Sequence, residues 1–185
     1  VKTPELVLPF DSGTMFADQK NEKNGKYSIR VSLDNYTTEG HPDNDFYKIL
    51  TELDGMILKE GQKNALAWFK KKTISEELIK EIYNPMVKFS TDRETGETTD
   101  KYPPTFTFKI VQRDDKILCK CYDGNSKSKN DELNVNVKEE ENYKQLDSLL
   151  KKKSKVKMLL RCNGIWVVGG KFGCTWRADQ IMITP

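Results

Sequence analysis

The sequence predicts an α+β fold, mainly β, wrapped into a closed or partly open barrel. Three observations carry that expectation. Stretches at 25–33, 105–111, 116–122 and 155–183 alternate apolar and polar residues with the period of two that marks a strand buried on one face. The block 43–82 repeats its apolar residues at helical spacing instead. A helix then precedes a long final hairpin, an order that suits a small barrel.

In the first strand, GKYSIRVSL at 25–33, Tyr27, Ile29, Val31 and Leu33 fall on one face, opposite Lys26 and Arg30. Over 43–60, Phe46, Ile49, Leu50, Leu53 and Ile57 form a core-facing stripe, with Asp43 or Asn44 as the expected cap and Gly61 as the end. A second helical piece covers about 63–72. A third starts after Ser75, whose side chain suits an N-cap, with Glu76 and Glu77 in the first turn; Pro85 stops it. A short strand at 86–90 leads into a polar loop at 91–101. Then Phe106, Phe108 and Ile110 point inward, and Thr105, Thr107 and Lys109 outward. Gln112 to Asp115 turn the chain into 116–122, where Ile117, Cys119 and Cys121 oppose Lys120 and Tyr122. Residues 123–136 are polar and turn-rich. A helix over 139–153 carries Tyr143, Leu146, Leu149 and Leu150, with Glu139–Glu141 at its start and Lys151–Lys153 at its end to complement the dipole. In the hairpin, Val156, Met158, Leu160 and Cys162 oppose Lys155, Lys157, Leu159 and Arg161; Asn163-Gly164 reads as a bulge, and Gly169-Gly170-Lys171-Phe172-Gly173 as the turn.

At 185 residues the chain suits one domain, with 43–82 as a helical insertion. It begins at Val1 without methionine, which points to a fragment of a longer protein. No signal peptide and no apolar run near the ~18 residues of a membrane span is present. Only five of 31 basic residues are arginine. Lysine is a flexible point charge suited to phosphate, whereas arginine more often reads bases. A lysine-rich surface is also what plain solvation produces. The four cysteines match no common zinc spacing; buried free thiols are the simplest reading, with a four-thiolate site or a disulfide as the alternatives. His41 is the one histidine and lies in a polar loop; no carboxylate pair has the setting a two-metal nuclease needs, so neither a catalytic site nor a metal or cofactor is expected.

The informative constellation is the basic outer face. Lys26, Arg30, Lys88, Lys109, Lys120, Lys155, Lys157 and Arg161 all oppose the apolar face of their strands, so a shared sheet would place them on one surface. Single strands bind such surfaces through phosphate contacts and bases stacked on aromatics. Tyr102, Tyr122, Trp166, Phe172 and Trp176, at strand ends and turns, are the stacking candidates; core packing competes for Trp176, while Phe172 in a glycine-rich turn is expected to be exposed. Trp68 and Phe69 beside Lys70, Lys71 and Lys72 form a second aromatic-basic cluster.

Residues 101–110, KYPPTFTFKI, and 156–183, VKMLLRCNGIWVVGGKFGCTWRADQIMI, resemble the single-stranded-DNA-binding proteins of the nucleocytoplasmic large DNA viruses. The I-W-x-x-G-G-K-F-G-x-T-W core is the specific part, and the likeness covers about 84–184. It implies an OB-fold-like barrel with inserted helices and a long C-terminal hairpin. It also implies sequence-independent binding of single-stranded DNA in viral replication or repair, in infected-cell cytoplasm and with other replication proteins nearby. Carried onto this chain, it favours Trp166, Lys171, Phe172, Trp176 and Arg177. DNA and RNA are not distinguished by the residues. An adaptor that binds a protein partner through the same barrel is the competing reading.

Overall fold

The computed structural model describes residues 1–11, 26–113, 116–124, 132–133, 146 and 148–184. Five strands close a ring. β1 (Leu6–Val7) pairs with β2 (Lys26–Ser32), β2 with β7 (Thr105–Arg113), β7 with β12 (Lys171–Thr184), β12 with β11 (Lys155–Val168), and β11 with β1. All pairings are antiparallel except the closing one, where Arg177 of β12 meets Lys109 of β7 in parallel. That arrangement is the five-stranded barrel of an OB-like fold. β12 is long enough to take β11 along one edge and three partners in succession along the other: β3 (Tyr83–Asn84), then β7, then β9 (Lys120–Asp123). β4 (Val87–Lys88), β8 (Lys116–Ile117) and β10 (Glu132–Leu133) extend the same sheet. β5 (Ser90–Thr91) and β6 (Thr98–Thr99) form a separate small hairpin.

The barrel interior holds Ile29, Val31, Phe106, Phe108, Ile110, Val156, Met158 and Leu160, all 3% exposed or less, as strand alternation requires. β1 is only two residues long and carries no periodic signal, yet Leu6 and Leu8 on either side of Val7 are fully buried in this core.

The helical block covers the barrel. α1 (Pro42–Lys63), α2 (Ala65–Phe69) and α3 (Glu76–Ile82) follow β2. Phe46 of α1 meets Phe106 edge-on at 5.8 Å. The buried stripe of α1 runs through Asp43, Phe46, Leu50, Asp54, Ile57 and Gly61; Leu53 is half-buried and packs against the core as expected, whereas Ile49 is 49% exposed and Asp54 joins the buried face. Gly61 therefore lies inside the helix rather than ending it. A Cβ there would sit 2.9 Å from the Phe172 ring, so helix and hairpin touch through glycine. His41, not Asp43 or Asn44, caps α1: its Nδ1 accepts the Asp43 N–H at 3.2 Å. Pro42 occupies the first turn, where its missing N–H costs nothing. Ser75 caps α3 as expected, accepting from Leu78 N at 3.2 Å.

Two further expectations change. The polar stretch 91–101 contains the β5–β6 hairpin, whose turn is held by Asp92 Oδ1 accepting from the Glu94 and Thr95 amides at 2.8 and 2.9 Å. The final hairpin turns on Gly169-Gly170 alone. Both glycines have positive φ (59° and 76°), the geometry of a two-residue turn that matches strand twist, so Lys171, Phe172 and Gly173 belong to the ladder. The bulge at Asn163-Gly164 is present as a register shift between Cys162 and Gly164. Of the helix expected over 139–153, Leu146, Ser148 and Leu149 are helical; 139–145 and 147 fall outside the described residues, as does much of the turn-rich stretch before it. Lys151 to Lys153 follow the helix rather than end it, and Lys153 adopts a left-handed φ of 70°.

Candidate nucleic-acid interface

A ring of strands turns its outer faces in different directions, so the basic residues do not share one surface. They separate into groups. One group lies at a cleft of about 840 Å³ on the outside of β1, β2, β4 and β7. The register explains its floor. Ser32 pairs with Thr105, and Thr105 pairs with Lys88, placing these three side by side; Arg30 follows two positions along the same face of β2. The rim comes from loops. Leu33 N donates to Pro104 O at 3.0 Å, which holds the 102–104 segment against β2. Tyr102 is thereby presented 60% exposed, with Lys101 Nζ 5.6 Å from its ring.

The opposite rim is stitched from the N-terminal segment and residues 152–154. Leu8 N donates to Ser154 O at 3.0 Å, Lys153 N to Leu8 O at 2.8 Å, and Lys152 N to Asp11 Oδ1 at 2.8 Å. These bonds set Phe10, 45% exposed, beside Lys152 and Lys153. Phe89, half-buried and braced by Tyr36 at 5.9 Å, adds a third ring. Asp34, engaged by the Ser32 hydroxyl, lines the cleft with Arg30, Lys88, Lys152 and Lys153, and the Asp11 carboxylate is taken up by the Lys152 amide. Lys88, Lys152 and Lys153 make no ion pair among the described residues.

Of the residues singled out from sequence, the cleft brings together Arg30, Lys88 and Tyr102. Lys26 opens β2, paired with Val111. Lys109 lies farther along β7, beside Arg177 of β12. A second, smaller depression of about 370 Å³ on the outside of β9, β12 and β11 holds Tyr122 and Lys157 with Lys2, Leu159 and Met182; exposed Lys120 pairs with Gln180 on the same sheet. Lys155 and Lys157 also reach Glu5 at 3.2 and 3.7 Å. The Glu5 carboxyl is held below its ordinary range, by the Thr184 hydroxyl first and by Lys155 second. Arg161 and Arg177 share Asp179 at 2.7 and 3.1 Å. These four cations are engaged within the protein, whereas the cleft lysines make no ion pair among the described residues.

The aromatics are corrected most. Phe172 is fully buried, not exposed: the two-residue turn puts it in the ladder, where its ring lies 4.9 Å from Tyr83, 5.2 Å from Phe69 and 6.0 Å from Trp68. Trp68 therefore faces this core, while Lys70 and Lys71 stay on the surface away from the cleft. Trp176 is 6% exposed, with Nε1 donating to Met86 Sδ at 2.9 Å and its ring 6.3 Å from Phe106. Both are buried in the core rather than presented at the surface. Trp166 is half-buried over Gly173, where a Cβ would meet its ring at 2.9 Å. Lys171 is exposed at the hairpin tip. Sequence reasoning missed Phe10, Phe89, Lys152 and Lys153. The run Lys151–Lys153 was visible, but helix-dipole complementarity accounted for it without a ligand.

No protein-family model and no curated protein sequence matches the chain. Its fold is similar to that of a single-stranded DNA-binding protein from bacteriophage Enc34 solved in complex with single-stranded DNA. The TM-score is 0.51 at 11% identity, over 98% of this chain and 84% of that chain. A second structure of the Enc34 protein gives a TM-score of 0.51 at 10% identity, over 98% of this chain and 78% of that chain. At that identity the likeness establishes the OB-like fold.

Proposed function

We propose that this chain binds single-stranded DNA without sequence preference, along the cleft outside β1, β2, β4 and β7. The observation that carries the reading is the convergence of four cations, three of them lysines without an ion pair among the described residues, with two exposed rings, Tyr102 and Phe10, in one open cleft. Lysines without fixed partners suit a phosphate backbone, because each contact releases condensed counterions and none demands a particular base. Rings at the rim suit splayed bases, which a single strand offers and a duplex keeps stacked. OB-fold barrels take oligonucleotides on this strand face. The fold shared with the phage protein supports the reading, as does the I-W-x-x-G-G-K-F-G-x-T-W block. The resemblance of that block to the large DNA virus proteins, the African swine fever virus protein among them, supports a role in viral DNA replication or repair in the infected-cell cytoplasm.

The test is fluorescence anisotropy with a labelled single-stranded oligonucleotide at two salt concentrations, with duplex of equal length as competitor. Salt-sensitive binding that duplex does not displace is expected. Replacing Lys88 and Lys152 by alanine together should reduce the slope of log affinity against log salt by about 0.7 for each phosphate no longer neutralised. Absence of binding at low salt would refute the proposal and favour a protein-binding adaptor.

A further inference from the structure

Where the β11–β12 hairpin passes its bulge, Cys162 Sγ and Cys174 Sγ lie 3.3 Å apart on opposite strands. The register shift brings them together. Cys162 is opposite Trp176 below the bulge and Cys174 is opposite Ile165 above it, so the extra residue Asn163 draws the two sulfurs into contact. Cys162 is exposed, and its Sγ accepts the Gly164 N–H at 3.4 Å. Cys174 is half-buried; burial first, and then its contact with Cys162, push its thiol up to about 12. The other two cysteines, Cys119 and Cys121, are 4% and 2% exposed.

We infer that Cys162 and Cys174 are a peroxide-sensitive thiol pair that closes to a disulfide across the bulge. The steps balance with a hydroperoxide as oxidant. The Cys162 sulfur attacks one peroxide oxygen and the O–O bond breaks; with hydrogen peroxide, Cys162 becomes a sulfenic acid and one water leaves. The Cys174 sulfur then attacks the Cys162 sulfur. The S–O bond breaks, and the departing hydroxyl takes the Cys174 proton as a second water. Two thiols lose two electrons and two protons, and one hydrogen peroxide is reduced to two waters. Access orders the steps: the exposed Cys162 sulfur meets the oxidant, and the half-buried Cys174 sulfur, 3.3 Å away, resolves it as it gives up its proton. Closing the bond requires the sulfurs to approach by about 1.3 Å, to the ~2.05 Å of a disulfide. Gly164, at φ 102° with nothing within 4 Å of where a Cβ would be, lets the bulge follow that movement. The closed form staples the hairpin between its barrel part and its tip. This inference does not depend on DNA binding.

The experiment treats the intact chain with a small excess of hydrogen peroxide, alkylates it under denaturing conditions, and reads intact mass and peptide map. The expected product has lost two hydrogens, links the Cys162 and Cys174 peptides, leaves Cys119 and Cys121 alkylatable, and reverts with dithiothreitol. Cys174→Ser should stop at the sulfenic acid, trapped by dimedone on Cys162, and Cys162→Ser should give neither product. Sulfinic or sulfonic acid on Cys162 beside a free Cys174, a Cys162-linked dimer, a Cys119–Cys121 link, or no reaction at all would each overturn the inference.

Discussion

Replacing Phe172 by alanine separates a core role from a ligand contact. The side chain is fully buried and touches Tyr83, Phe69 and Trp68, with ring centroids 4.9 to 6.0 Å away. Removing a buried phenylalanine ring costs about 3–5 kcal/mol. Its three aromatic neighbours, each contributing about 0.5–1.5 kcal/mol beyond area, place this site toward the upper end. At about 2–4 °C per kcal/mol for a chain of this size, the melting temperature should fall by about 6–20 °C. Urea titration followed by tryptophan fluorescence measures the destabilisation, and an unchanged slope against denaturant would show that the two end states are otherwise comparable. At a temperature where the variant is folded, its affinity for single-stranded DNA should match that of the parent. A Phe172→Ala variant as stable as the parent within about 0.5 kcal/mol, yet impaired in DNA affinity, would refute the core role, because the ring would then be a stacking surface.

Gly61→Ala sets the roughly 1 kcal/mol helix preference of alanine against about 1–3 kcal/mol of overpacking on Phe172, so chemical denaturation should show net destabilisation. In a Phe172→Ala background the ring contacts at 2.9 Å are gone and only the flexible Ile79 Cδ1, at 3.1 Å, is left to give way, so the same substitution should be less destabilising than in the parent. Tyr102→Ala should weaken single-strand binding by about 1–3 kcal/mol with little change in melting temperature, whereas Tyr122→Ala, outside the cleft, should leave affinity unchanged in the same anisotropy assay. Burial raises the Asp54 carboxyl above its ordinary 3.8, opposed by hydrogen bonds from Tyr83 and Met86. A raised folded pKa favours the fold while the group is protonated. Its contribution is therefore full below about pH 3.8 and is lost as pH rises through the folded value. Asp54→Asn, which keeps the carbonyl acceptor, should remove that decline from stability measured across the acidic range; an unaltered pH profile would contradict the assignment.

What the sequence determined by itself is local. Period-two alternation identified β2, β7 and the inward residues of β11, because neighbouring side chains on a strand face opposite ways whatever the strand pairs with. Ser75 was legible as a cap because its bond to Leu78 N spans three residues. The non-local features were decided by the tertiary structure. β1 is too short to show a period, and only its pairing with both β2 and β11 makes it a barrel strand. Phe172 changes from turn to core because two glycines suffice for the turn and α1 supplies a gap at Gly61 to receive the ring. The shared basic surface expected from strand alternation divides once the sheet curls, since equal distance from the core leaves residues on different sides of a barrel. The cleft joins Phe10 to Lys152 through the bonds between Leu8, Asp11 and the 152–154 segment, an association of distant parts of the chain that no local pattern encodes.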